Sequence, residues 1–109
     1  MTRETMIMAD RDPRFFDRAD AFIRTANDQI EDGAEAGQVS ASFMYGLARY
    51  SAWFSASGWK SGADMASAKA ETLEFFVNEY RKMLALNLDD YINNFDNYID
   101  ASQEMKNHS

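Results

Sequence analysis

Between Ser40 and Trp59 the chain reads "SASFMYGLARYSAWFSASGW", twenty residues with six aromatic side chains and a single charge, Arg49. No other segment constrains the fold as much, because a helix with this sequence needs apolar cover around most of its circumference. Twenty residues is also the length of a bilayer span. Six of these positions are Ser or Arg and two are Gly, however, so the summed transfer energy is poor. A buried helix within a soluble domain explains the stretch better.

The rest of the chain has to supply the cover. At 109 residues, 46% hydrophobic and 14% aromatic, it is long enough for one core and too short for two. Asp12-Pro13 is a helix start signal, since Asp accepts a bond from an orphan amide and Pro lacks the N–H that would go unpaired. Phe15, Ala19, Phe22, Ala26 and Ile30 then recur at helical spacing, with Phe16 and Ile23 widening the stripe, and Gly33 provides a left-handed stop. These features predict a first helix over about 13–32.

A second helix is predicted over about 38–57, with one large stripe (Val39, Phe43, Leu47, Tyr50, Phe54) and one small stripe (Ala41, Ala48, Ala52, Ala56). Gly58 and Gly62 end it, and Ser61 followed three residues later by Asp64 resembles half a capping box. From Asp64 onward, Leu73, Val77, Tyr80, Leu84, Leu88, Tyr91, Phe95 and Tyr98 keep a period near 3.5. A single helix over 64–100 would be about 55 Å long, more than its neighbours can cover. Asn87 and the pair Asp89-Asp90 offer a break, so a third helix over about 64–86 and a short fourth over about 88–99 are expected. Short connections make successive helices antiparallel, and the predicted fold class is all-α: an up-and-down bundle of three main helices plus a short C-terminal one. Residues 1–12 and 101–109 are expected to be flexible segments flanking a single domain over 13–100.

Three blocks, "FFDRADAFIRTAN" at 15–27, "VSASFMYGLARYSAWFSA" at 39–56 and "FFVNEYRKMLALNLDDYINNF" at 75–95, resemble the small proteobacterial family catalogued as domain of unknown function 3144. The likeness covers about four fifths of the chain in the expected order. It implies a small all-helical protein and brings no catalytic residue with it. The Trp59-Lys60 turn and the Met-rich N-terminus have no place in that pattern.

Several chemistries are disfavoured by residue type alone. The chain has no cysteine and one histidine, His108 in the polar tail, so thiolate or imidazole metal sites and histidine-assisted serine nucleophiles lack their donors. Ser40, Ser42, Ser51 and Ser55 suit close packing with bonds back to helical carbonyls. The five glycines form no phosphate-binding loop. Asp89 with Asp90, and Asp96 with Asp100, are read as caps and a solvated acidic face rather than an acid–base pair. No cofactor, metal or catalytic residue is expected.

The net charge of −7 opposes nucleic acid and anionic membranes, and no signal-peptide core opens the sequence, so a cytoplasmic location is expected. On a covered helix, Arg49 needs a carboxylate, with Asp20 or Glu74 as candidates, or a ring, with Tyr45 or Trp53. Tyr45, Trp53, Trp59, Tyr91, Phe95 and Tyr98 exceed what a three-helix core can house, and with Arg49 they form the candidate interaction or anion-binding set. The leading expectation is a non-catalytic interaction domain, either a homo-oligomer or bound to an unidentified protein partner. Two alternatives accompany it: an acidic regulator that binds a basic partner or mimics nucleic acid, and a small-ligand or anion binder with a pocket near Arg49.

Overall fold

The computed structural model describes residues 12–99, all of whose regular structure is helical. Helices α1 (Phe15–Glu31), α2 (Ala36–Ala56), α3 (Gly62–Ser67) and α4 (Lys69–Asn93) follow one another, and a last helical turn occupies 95–99. Three of the five segments are long, at 17, 21 and 25 residues. Those lengths correspond to about 26, 32 and 38 Å.

Each boundary has a local cause. Asp12 accepts a bond from the Arg14 N–H at 3.1 Å and pairs with Arg18, which places Pro13 in a turn ahead of α1 rather than inside it. At the other end Gly33 takes φ 112°, while its N–H reaches the Ile30 carbonyl and the Ala34 N–H reaches that of Gln29. This is the paired Schellman closure, and it depends on the backbone freedom of glycine. The Gln38 Oε1 accepts from the Glu35 N–H at 3.0 Å, so α2 starts two residues before the predicted Gln38. Ser61 Oγ accepts from the Asp64 N–H at 3.1 Å and caps α3 as its sequence suggested.

Two breaks differ from expectation. Asn87 does not interrupt α4, because its side-chain amide donates to the Met83 carbonyl at 2.8 Å and leaves the helical ladder intact. The helix continues to Asn93 and ends at Asn94, so the short fourth helix over 88–99 is replaced by a turn at 95–99. An interruption that the sequence did not signal falls at Ala68. There Ser67 Oγ donates to the Asp64 carbonyl at 2.7 Å and the Ala68 N–H reaches back three residues to Met65. Side-chain competition for a helical carbonyl bends the chain at that point, dividing α3 from α4.

Packing between elements is sparse. The close pair is α1 with α2; α3 and α4 meet across the single residue between them, and other approaches among the described residues are glancing. The expected up-and-down bundle of three long helices is therefore not closed within one chain. Val39, 5% exposed and next to the α1–α2 turn, is the one buried residue among those described. Along the stripe that Val39 begins, exposure rises to 43% at Phe43 and 63% at Phe54. Helix α1 thus covers the start of α2 and leaves its far end bare.

Candidate interaction surface

The α1–α2 hairpin leaves a crevice of about 150 Å³ lined by Phe22 and Ala26 on one wall and Val39 and Phe43 on the other, with Thr25, Gln29 and Ser42 at the polar edge. Beyond it the large stripe of α2 lies open: Leu47, Tyr50, Trp53 and Phe54 are all exposed. Helix α4 shows a similar mismatch. Its half-buried positions are Thr72, Phe76, Glu79 and Leu86, whereas Leu73, Val77, Tyr80, Leu84 and Leu88 face water. These two sets lie roughly a third of a turn apart on the helix. The stripe that periodicity assigned to the core is the stripe turned away from the rest of the chain.

Arg49 is exposed and makes no ion pair among the described residues, so neither Asp20 nor Glu74 of its own chain meets it. The expected ring partners are placed elsewhere. Trp53 packs against Tyr50, with centroids 5.4 Å apart and planes at 46°, and Tyr45 is 68% exposed. Arg49 lies two turns beyond Ser42 on the same side of α2 and does not line the crevice. Trp59 stands in the α2–α3 connection, where its N–H closes onto the Ala56 carbonyl at 3.1 Å and its indole stays partly exposed.

At the end of α4, the candidates Tyr91, Phe95 and Tyr98 cluster around an acid whose role the sequence did not reveal. Asp90 Oδ2 accepts from the Tyr98 hydroxyl at 2.9 Å, and its Oδ1 accepts from the Asn94 side-chain amide at 3.0 Å. The same amide also donates to the Asp90 carbonyl, at 3.1 Å. Tyr91 and Tyr98 stack with centroids 4.4 Å apart. Asp90 was read as a cap for a new helix, but it closes the end of the old one and hooks the next turn back onto it. The bond that Tyr98 donates to Asp90, reinforced by the carboxylate charge, raises the phenol's pKa above its ordinary value of 10.0. Phe95 remains exposed beside this hook.

Among the described residues no group of three or more His, Cys, Asp or Glu side chains could hold a metal ion, and no helix is long and apolar enough to cross a membrane. Asp100 and His108 lie outside the described residues, as do most of the predicted N-terminal segment and the whole predicted tail.

The arrangement defines a small all-α protein built from a helical hairpin and a long helical arm, with its apolar faces uncovered. The chain belongs to the family described as "Protein of unknown function (DUF3144)", whose model matches residues 15–92. That range contains nearly all of the three sequence blocks that carried the resemblance. A solved relative is the Shewanella protein NB7890A, an NMR structure 40% identical in sequence; the alignment covers 80% of this chain and 92% of that one, with a TM-score of 0.68. None of the curated proteins matches the chain.

Proposed function

We propose that this chain is a non-catalytic, self-associating interaction domain whose helical faces are covered by a further copy of the same chain. The observation that carries this reading is the amount of apolar surface left in water. Twenty-three large apolar or aromatic side chains among the described residues are exposed. At about half exposure each leaves on the order of 100 Å² accessible, or on the order of 2,000 Å² per chain. A standard interface needs about 800 Å² per partner, so this total, summed over the faces of all the helices, is enough to supply one.

The composition of the surface supports the same conclusion. It is rich in Tyr, Trp, Phe and Leu, and across the 21 residues of α2 it carries one charge. Depletion of charge with enrichment in aromatics is the pattern of an interface core. Native mass spectrometry and light scattering on the untagged protein at micromolar concentration test the proposal. An integer multiple of the 12.4 kDa chain is expected. A monomer that unfolds cooperatively, at a midpoint independent of concentration, would refute it.

A further inference from the structure

Two uncovered features of this chain match one another. The first is the α1–α2 crevice, apolar on both walls and small-sided at Ala26 and Ser42, open to side chains from another helix. The second is the stripe Leu73, Val77, Tyr80, Leu84 and Leu88 of α4, exposed along its length. Helix α4 makes no close packing with the α1–α2 hairpin of its own chain among the described residues. We infer that the crevice of one chain is filled by α4 of a second copy, which returns the exchange. This rests on the self-association reading and specifies its geometry.

Two features favour a reciprocal exchange over a simple meeting of two hairpins.

Closure is the first. Each chain carries one crevice and one arm, so a two-fold exchange fills both crevices, covers both stripes and leaves no half-site to propagate a filament. The arm leaves the hairpin through the five-residue connection 57–61, which contains Gly58. A short connection of this kind is the usual site at which an element passes to a neighbouring copy instead of folding back.

Charge is the second. Arg49, the single charge of α2, has no ion-pair partner among the described residues of its own chain. Glu74 directly follows Leu73, at the border of the stripe on α4. An arm laid along α2 therefore brings a carboxylate to the helix that carries Arg49, and a guanidinium covered in this way needs one.

Because the chain has no cysteine, an introduced one is a unique attachment point. Gln29→Cys and, separately, Ser42→Cys place it on opposite walls of the crevice. Each variant is made in ordinary and fully 15N-labelled form, labelled with a benzophenone maleimide, mixed in equal amounts in urea, refolded and illuminated. The exchange predicts crosslinks from both sites into peptides of α4, about half of them joining a light to a heavy chain, as random pairing of two forms requires. Crosslinks into α4 that join only like isotopes would show α4 closing on its own hairpin and overturn the inference. Light–heavy crosslinks landing on α1 or α2 would overturn the exchange while preserving self-association. A monomeric mass before labelling would overturn both.

Discussion

Phe54 offers a test in which the single chain and the assembly give different numbers. Its side chain is 63% exposed, so its own chain removes only about a third of it from water. Full burial of a Phe stabilises by roughly 1.5–3 kcal/mol, which makes the share gained within one chain about 1 kcal/mol or less. If α2 is covered by a second copy, Phe54→Ala removes a buried ring and leaves a cavity, a change that typically costs about 3–5 kcal/mol. Val39→Ala is the internal control. Val39 is already buried inside one chain. Its loss should cost about 2 kcal/mol whatever the assembly state, at about 0.8 kcal/mol per buried CH₂ plus a cavity contribution. Urea unfolding followed by circular dichroism, at two protein concentrations a hundredfold apart and with the mass measured alongside, yields both values. A Phe54→Ala cost of 1 kcal/mol or less under conditions where the assembly is intact would refute the covered face. A cost well above that of Val39→Ala would place the assembly's core on the far half of α2.

Further expectations follow from individual contacts. Gly33→Ala should destabilise by about 1 kcal/mol in the same urea assay: no atom lies within 4 Å of an added Cβ, so the cost is the φ of 112° alone; a stabilised variant would contradict the left-handed closure of α1. Ser61→Ala removes the cap of α3 and should also cost about 1 kcal/mol, whereas Ser61→Asp, which keeps an acceptor, should cost little. The raised pKa of Tyr98 means that its bond to Asp90 is complete below about pH 10, the unfolded value, and is lost as pH rises through the higher folded value. The difference in 295 nm absorbance between the parent and Tyr98→Phe should therefore titrate above the ordinary phenol value of 10.0, and a titration at that value would contradict the hook. Arg49→Met should weaken self-association about 2–5-fold in sedimentation velocity, the worth of an exposed ion pair, with helical content unchanged. Raising the salt concentration should preserve or tighten the assembly, since it screens repulsion between chains of net charge −7; dissolution by salt would point instead to a basic partner.

Much of the local structure was legible because it is decided by neighbours in sequence. Gly33 ends α1 and Ser61 caps α3, and both act through residues within five positions. The starts of the first three helices lie within two residues of the sequence expectation for the same reason. The break expected at Asn87 is absent and the break at Ala68 has no sequence signal, because a helix break depends on which of two competing hydrogen bonds a short polar side chain makes. Asn87 bonds four residues back and leaves the ladder whole; Ser67 bonds three residues back and opens a bend. Asp90 was equally ambiguous. An acid near a helix end can cap the next helix or close the last, and the position of Tyr98 settled which.

By itself the sequence determined that this chain is helical, where its first three helices begin, and which face of each is apolar, because these follow from backbone hydrogen bonding and a period of 3.6 residues. Periodicity identifies a face that must leave water; it contains no information about what covers it. That was decided only by the tertiary arrangement, in which α1 shields the first turns of α2 and α4 runs on from α3 without closing the bundle. The hydrophobic effect has no direction. The same stripe of leucines and aromatics is satisfied equally by its own chain or by another copy, and only the placement of the helices distinguishes the two.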